Sequence, residues 1–229
     1  TMKAEQHQGK GLTYLNVYPD DYDPGLSYPL VVMLHGFGAN MKDLAGLAPS
    51  IEREGYVYAC PNAPIPFDIG MGMTGYSWHP PRGEATREDF QLAESLLAGF
   101  FDEAFEQLKA KAGQIALLGF SQGGGMTYRC GLGQSETFAG LVALSASLPD
   151  PEVLRPKLPS QRNQPIFIAH GRSDSTVAMD TARAAKAFLE AEGYQPDYHE
   201  YDMGHEIPPM VLNDMIPWLA EVLPPLRRD

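Results

Sequence analysis

The most constraining feature of this sequence is a Gly-x-Ser-x-Gly motif at residues 119–123, which directly follows a short apolar run. The run at residues 115–118 has the pattern of a buried strand, and residues 126–132 after the motif are compatible with a helix. A sharp turn between a strand and a helix lifts its serine to the tip of a sheet, where the hydroxyl is open to a substrate. Gly119 and Gly123 are expected there because backbone and helix approach too closely for a Cβ atom. The pattern predicts Ser121 as a nucleophile, and a glycine-rich turn with an incidental serine is the alternative.

Strand patterns and helical patterns alternate along the chain from residue 30 onward. The predicted strands are residues 13–17, 29–34, 56–60, 115–118, 140–145, 166–170 and 198–201. The predicted helices are residues 42–54, 88–112, 126–132, 179–192 and 208–222. Continuous apolar runs are typical of strands that are buried on both faces of a parallel sheet. The alternation therefore predicts an α/β protein, with a mostly parallel central sheet and helices on both faces, in one domain that spans residues 1–229.

Residues 61–87 interrupt this alternation, because prolines and glycines are frequent there and no regular pattern survives. Long loops within compact domains are often functional, so this segment is predicted to be a lid-like insertion. It contains an apolar cluster formed by Met71, Met73, Tyr76 and Trp78. We interpret the cluster as a substrate-binding wall of an acyl pocket, since flexible methionines and a rigid tryptophan suit apolar chains. The alternative is that the cluster merely anchors the loop to the domain.

The net charge and the composition of the chain restrict the partners that it can bind and the compartment in which it is expected. A formal net charge of −12 argues against nucleic acid and anionic membranes. No apolar run approaches the roughly 18 residues of a membrane span, and the N-terminal residues lack the apolar segment of a secretory signal. Cys60 and Cys130 are predicted to be buried thiols in a reducing compartment, so the expected location is cytoplasmic, although a disulfide between them stays open. A homodimer also stays open.

Three residues with the chemistry of acyl transfer lie after predicted strands. Ser121, Asp174 and His205 each follow one strand, and ligands of open α/β sheets bind beyond the carboxyl ends of strands. A serine hydroxyl is a weak nucleophile until a base takes its proton. His205 is the candidate base, and Asp174 is the candidate acid that fixes its tautomer. The chain order Ser, Asp, His is that of the α/β-hydrolase triad.

Each of these assignments has a rival. Asp174 could simply cap the following helix, and Asp150 after the preceding strand is a second candidate acid. We favour Asp174 because its strand shows the stronger pattern. His205 could be a surface histidine, whereas His170 is expected to be buried at a strand end. A lining role for His79 in the long loop stays open.

Acyl transfer also requires hydrogen-bond donors for the oxyanion. The backbone N–H of Gln122, directly after the nucleophile, is one candidate, and the N–H of Phe37 in the turn after residues 30–34 is the other. The glycines that flank Phe37 would let the backbone face the substrate, although a simple glycine turn is the alternative. No metal-ligand cluster, Walker loop or dinucleotide fingerprint is present, so no cofactor and no metal are predicted.

Four motifs together resemble the phospholipase/carboxylesterase family, which are small serine esterases of the α/β-hydrolase fold related to acyl-protein thioesterases. The motifs are residues 34–38, 119–124, 170–177 and 204–205, and the resemblance covers about residues 28–222. It implies the α/β-hydrolase fold, a triad of Ser121, Asp174 and His205, and two oxyanion donors, Phe37 and Gln122.

The sequence departs from that family at two places. The family usually has a leucine where Phe37 stands, which leaves the N–H in place. Trp78 resembles the loop tryptophan of the family, but His79-Pro80 follows where an aromatic and an acidic residue are usual. The acyl-chain preference therefore stays open.

Together these features predict a serine carboxylesterase that acts on small to medium acyl esters. A thioesterase or lysophospholipase that acts on longer acyl chains is the first alternative. A non-catalytic binding protein on a hydrolase scaffold is the second, and it is disfavoured because the chain keeps all three triad residues.

Overall fold

The computed structural model describes residues 1–81 and 83–228, and a large mixed sheet runs through it. The strands in chain order are β1 (Lys3–Gln8), β2 (Thr13–Tyr18), β3 (Leu30–Leu34), β4 (Val57–Pro61), β5 (Ile65–Gly70), β6 (Met73–Ser77), β7 (Ile115–Phe120), β8 (Phe138–Leu144), β9 (Ile166–Gly171) and β10 (Asp197–Tyr201). Eight of them form one sheet in the order β1-β2-β4-β3-β7-β8-β9-β10. The pairs β1/β2 and β2/β4 are antiparallel, and every other pair in this sheet is parallel. The predicted mostly parallel sheet is confirmed.

Helices cover both faces of this sheet. They are α1 (Met41–Ala45), α2 (Ala48–Ile51), α3 (Arg87–Gln107), α4 (Gln122–Gly131), α5 (Pro151–Leu154), α6 (Met179–Ala191) and α7 (Pro209–Val222). Alternate residues of β3 enter two different cores, as the two-residue period of a strand requires. Val32 packs on the face covered by α3, α4 and α6, and Val31 packs on the face covered by α1, α2 and α7. No helix in residues 1–81 and 83–228 is long and apolar enough to cross a membrane.

The structure corrects the sequence interpretation in three segments. β1 was not predicted, because its residues are polar and only the antiparallel pairing with β2 makes them a strand. The helix predicted at residues 42–54 is divided into α1 and α2, with Gly46 as the C-cap of the first. The middle of the segment at residues 61–87 is a β-hairpin formed by β5 and β6 and not an irregular loop. Its tip uses three consecutive residues with positive φ, at positions 70–72.

The helix α3 buries one face against the core. Ala93 and Leu97 are buried there, whereas Leu92 is 60% exposed. The helix begins with a capping box in which Thr86 and Asp89 exchange hydrogen bonds. It ends before the predicted residue 112, and Lys109 just beyond it adopts a positive φ of 52°.

Candidate active site

Ser121 occupies a strained turn between β7 and α4. Its φ of 55° lies in the left-handed region, which residues other than glycine rarely adopt unless surrounding structure holds them there. Its backbone N–H donates to Leu144 O at 2.8 Å, and its side chain makes no capping bond to the helix. A Cβ at Gly119 would overlap the backbone of Gly123, and a Cβ at Gly123 would overlap the backbone of Leu34. The predicted need for glycine at both positions is confirmed.

Asp174 holds both its own loop and His205. Its Oδ1 accepts the N–H groups of Thr176 at 2.9 Å and Val177 at 2.8 Å, and its Oδ2 accepts from His205 Nδ1 at 2.7 Å. Burial raises the pKa of Asp174, but the hydrogen bonds from Val177, His205 and Thr176 outweigh it. The net pKa lies below the usual range, so the carboxylate is ionised at neutral pH. It does not cap α6, whose N-cap is Ala178.

The hydrogen bond to Asp174 defines the tautomer of His205. Because an ionised carboxylate can only accept, the bond to Asp174 places the proton of the neutral ring on Nδ1 and leaves Nε2 as an acceptor. The ring packs against Phe120, the neighbour of Ser121, with centroids 4.8 Å apart. In the described residues Ser121 Oγ makes no side-chain hydrogen bond. In free enzymes such bonds are often long and tighten only when substrate binds.

The rival acid, Asp150, is used differently. It lies exposed before α5, where its Oδ1 accepts the N–H of Glu152 at 3.0 Å as a helix cap. The hydrogen bond of His205 goes to Asp174, as the sequence favoured.

His170 supports the loop that carries Asp174, a contribution that the sequence analysis missed. Its side chain is fully buried at the end of β9, as predicted. Its Nε2 donates to Val177 O at 2.7 Å and lies 3.5 Å from Asp174 Oδ2. The spacing in the sequence hints at this contact, since His170 precedes Asp174 by four residues. Only the folded structure shows that the loop of Asp174 turns back onto the ring of His170.

The two residues whose N–H groups are predicted as oxyanion donors, Phe37 and Gln122, both line the cavity beside Ser121. Gln122 is the first residue of α4, where helical N–H groups have no partner within the helix. Phe37 lies in the turn after β3, and in the described residues its N–H meets no protein acceptor. The ring of Phe37 is 52% exposed and stacks on Phe67 of β5 at 4.7 Å.

The turn after β3 is held by a buried histidine. His35 Nδ1 donates to Gly36 O at 2.7 Å, and its Nε2 accepts the N–H of Ala63 at 3.0 Å. Its carbonyl accepts from Trp78 Nε1 at 2.9 Å. Burial lowers the pKa of His35, although its bond to Gly36 opposes this, so the ring is neutral, as the Ala63 bond requires.

The side chain of Gln122 connects α4 to the end of the hairpin. Its Oε1 accepts the N–H of Trp78 at 2.8 Å, and its Nε2 donates to Ser77 Oγ at 3.0 Å and to His79 O at 3.2 Å. These bonds fix the residue whose backbone faces the cavity, and they fix residues 77–79 to the same helix end.

A cavity of about 540 Å³ opens beside Ser121. Its lining comes from the turn after β3, the segment before α3, the helices α3 and α4, and the loops after β8 and β9: Phe37, His79, Pro81, Gly83, Ala85, Phe90, Ser121, Gln122, Gly125, Arg129, Ser147, Leu148, Pro149, Asp150, Thr176 and Val177. The volume is within the range of small-molecule sites. His79, whose role was open, is part of this lining.

The apolar cluster predicted as an acyl wall is not brought together at this cavity. Met71 is 96% exposed at the hairpin tip, and Met73 is also exposed. Trp78 is fully buried in the core, and Tyr76 forms an isolated β-bridge with Ala39. The hairpin separates these side chains because β6 alternates its residues between two faces. Trp78 therefore anchors the segment, which was the alternative interpretation of the cluster.

No metal site accompanies these groups. Within residues 1–81 and 83–228, no three or more His, Cys, Asp or Glu side chains are placed to hold an ion.

Comparisons with known proteins bear on the family and the fold of the chain. The sequence profile described as Phospholipase/Carboxylesterase matches residues 26–223. Acyl-protein thioesterase 1 of Aspergillus fumigatus is 29% identical over 216 residues, which cover 85% of this chain and 88% of that protein. Acyl-protein thioesterase 1 of Mycosarcoma maydis is 30% identical over 225 residues, with 83% and 90% covered. The crystal structure of esterase PE8 superposes with a TM-score of 0.76 at 25% identity and covers 97% of this chain and 100% of its own.

The close approach at Gly123 leads to a stability prediction. Gly123→Ala should destabilise the protein by about 1–3 kcal/mol or more, because its methyl group would overlap backbone that cannot move aside. The measurement is urea unfolding followed by circular dichroism. Gly99→Ala is the control, since it lies in α3 with open space around it and should stabilise by about 0.5–1 kcal/mol. Equal effects of the two substitutions would contradict the packing argument.

The buried His35 leads to a prediction about pH. Because its pKa in the folded state is lower than the unfolded value of about 6.5, protonation favours unfolding. Its contribution to stability is fully present above about pH 6.5 and is lost as the pH falls toward the folded pKa. Between about pH 7 and pH 5, wild type should therefore lose more unfolding free energy than His35→Gln, whose amide oxygen can still accept from Ala63.

Denaturant unfolding at several pH values measures this difference. Burial also lowers the pKa of His79, which contributes to the same window in both proteins and cancels in the comparison. An identical pH dependence of wild type and His35→Gln would show that His35 does not couple to folding.

Proposed function

The chain belongs to the phospholipase/carboxylesterase family, and we propose that it is a serine carboxylesterase that hydrolyses small to medium acyl esters through an acyl-enzyme intermediate. Membership of this family makes the chain a carboxylic ester hydrolase. The roles of individual residues and the size of the acyl group are the proposed part.

One observation carries the proposal: an ionised, buried carboxylate holds a histidine whose ring packs beside the strained serine. Asp174 Oδ2 accepts from His205 Nδ1 at 2.7 Å, and the ring of His205 lies against the residue before Ser121. His205 Nε2 is then the base that removes the proton of Ser121 Oγ as the oxygen attacks the ester carbonyl. Asp174 stabilises the imidazolium that forms.

The tetrahedral intermediate needs donors for its negative oxygen. Phe37 and Gln122, whose N–H groups would be these donors, line the same cavity, and Gln122 adds the positive end of α4. His35 and the Gln122 side chain fix these two backbones before substrate arrives, so no reorganisation is needed at the moment of reaction.

The reaction then proceeds in two stages, acylation of Ser121 and hydrolysis of the acyl-enzyme. The bond to the leaving alcohol breaks, and the alcohol takes the proton from His205 Nε2, which leaves an ester on Ser121 Oγ. A water molecule gives a proton to His205, attacks this ester and releases the carboxylic acid, and the proton returns to Ser121. The cycle consumes one water and needs no other reactant.

A second candidate function is supported by the names of the relatives. Both curated relatives above are acyl-protein thioesterases, and the same three residues could cleave a thioester, whose thiolate leaves more readily. A lysophospholipase activity on longer acyl chains belongs to the same alternative. We favour shorter esters because the cavity is bounded by α3 and α4 and includes polar groups at Arg129 and Asp150.

We also propose that the protein works in the cytoplasm. Both cysteines carry free thiols, and burial raises the pKa of each to about 12. Such thiols are inert, and free cysteines suit a reducing compartment.

The triad leads to a prediction about activity and labelling. Ser121→Ala should abolish labelling by a fluorophosphonate probe and lower kcat by roughly 10⁴-fold or more. Asp174→Asn should lower kcat by roughly 10⁴-fold while the fold is retained, because His205 would then hold the wrong tautomer. Ester hydrolysis and in-gel fluorescence measure these effects.

Asp150→Asn is the matched control for the acid. Its carboxylate caps α5 and lies exposed, so kcat should change by less than a few-fold. A severe loss in Asp150→Asn with a mild one in Asp174→Asn would move the acid to the earlier loop. Labelling that persists in Ser121→Ala would place the nucleophile elsewhere.

A panel of acyl chains from two to sixteen carbons, as oxygen esters and matched thioesters, decides between the two candidate functions. For the carboxylesterase, kcat/KM should rise with chain length by at most ~0.8 kcal/mol per methylene while the chain stays inside the cavity, and then level off or fall. A continuing rise to sixteen carbons, with thioesters preferred, would favour the thioesterase.

A further inference from the structure

The side chain of Arg129 has neither a carboxylate nor a hydrogen-bonding partner among the described residues. It lies on α4, is only 9% exposed, and lines the cavity that contains Ser121. In the described part of the chain its guanidinium takes part in no ion pair and no hydrogen bond to protein. Arginine is almost never buried to this extent unless it is paired, since it carries five N–H donors and a permanent charge.

The groups around Arg129 stabilise its positive charge, but no carboxylate in the described residues pairs with it. Its guanidinium lies over the ring of Phe90, 3.8 Å from the centroid, and His79 packs on the same ring at 4.5 Å. Two carboxylates are nearby, but Glu94 is paired with Lys157 at 2.6 Å, and Asp150 is exposed and caps α5. In a chain with 29 acidic and 17 basic residues, an arginine that faces a cavity without a carboxylate partner is unusual. Burial lowers the pKa of the guanidinium, a cost that a bound anion would relieve.

The position of Arg129 relative to Ser121 suits a group that is carried by the substrate. Ser121 is the N-cap of α4, and Gly125 and Arg129 share one face of the helix because they are four residues apart. The axial distance from Ser121 to Arg129 is roughly 12 Å, and a long helical side chain leans back toward the N-terminus and shortens it. Gly125, between them, lines the cavity without a side chain, and the nearest atom to a Cβ there would be Ser147 O at 3.8 Å. Ser121, Gly125 and Arg129 line the same cavity.

We propose that Arg129 is a specificity residue that binds a carboxylate carried by the substrate, so that the preferred substrates are esters with a second, anionic end. This inference rests on the proposed function, because it takes Ser121 as the nucleophile. A planar guanidinium recognises a carboxylate by two parallel hydrogen bonds, and the stacked ring of Phe90 holds its plane. The carboxylate belongs to the acyl part or to the alcohol part of the ester, and the test separates the two.

The test compares matched pairs of esters with the purified full chain. The acyl pair is mono-4-nitrophenyl adipate and 4-nitrophenyl hexanoate, both with six-carbon acyl groups. The alcohol pair is the butyrate ester of 4-hydroxybenzoate and that of 4-hydroxybenzamide. In one of the pairs, Arg129→Gln should lower the ratio of kcat/KM for the anionic ester over its neutral partner by about ten- to hundredfold. Arg129→Lys, which keeps the charge but loses the fork, should fall between.

Two controls keep the result interpretable. Arg183→Gln removes an exposed arginine of α6 that pairs with Glu200, and it should keep the wild-type ratio in both pairs. In the wild type alone, raising NaCl from roughly 0.05 to 0.5 M should lower the ratio in the responding pair, since salt screens the attraction. This measurement does not depend on the folding of any variant.

The outcomes distinguish this inference from the proposed function. The carboxylate site would be overturned if the kcat/KM ratios of both pairs are the same in wild type and Arg129→Gln and do not respond to salt. Turnover of the neutral esters in that case would leave the esterase proposal standing. Absence of turnover with all four esters, together with no fluorophosphonate labelling, would overturn both.

Discussion

Three stretches of backbone meet around Ser121 without any side chain between them, and the rest of the site depends on that contact. Gly119 touches Gly123, and Gly123 touches the carbonyls that end β3. The same contact holds Ser121 at its strained φ, starts α4 against the sheet and brings the turn of Phe37 beside the turn of Gln122. The positions of the proposed nucleophile and of both proposed oxyanion donors therefore follow from one packing constraint. Asp174 and His205 are positioned separately, by the loop after β9. His170 and Asp174 hold this loop through their hydrogen bonds to Val177.

The parts of this architecture with a repeated or local signal could be predicted from the sequence. Buried strands such as β3, β7 and β9 are continuous apolar runs, and both faces of the sheet were covered as these runs imply. The glycines around Ser121 reflect sterics that any such turn must obey. The choice of Asp174 over Asp150 agrees with the hydrogen bond to His205, although its catalytic role stays a prediction.

The parts that failed depend on contacts distant in sequence. β1 is a strand only because β2 offers it partners. In the hairpin, the alternation of Ile65, Phe67 and Ile69 is short and lies among prolines and glycines, which conceals the pairing. The cluster of Met71, Met73, Tyr76 and Trp78 is close in sequence, but the hairpin sends Trp78 into the core and Met71 into solvent. The sequence does not single out Arg129, because an arginine near the end of a helix usually lies on the protein surface. Only the structure shows that Arg129 is buried beside the cavity.

The residues of the candidate site follow β3, β7, β9 and β10. This distribution along the chain sets the order in which the site is completed during synthesis. A nascent polypeptide synthesised as far as α4 already contains Ser121 and both proposed oxyanion donors, yet the proposed acid and base lie 53 and 84 residues further along. Parallel strands pair slowly, because long loops must close before their contacts form. With the proposed roles, Ser121 lacks its base until β10 has docked on β9 and brought His205 beside it.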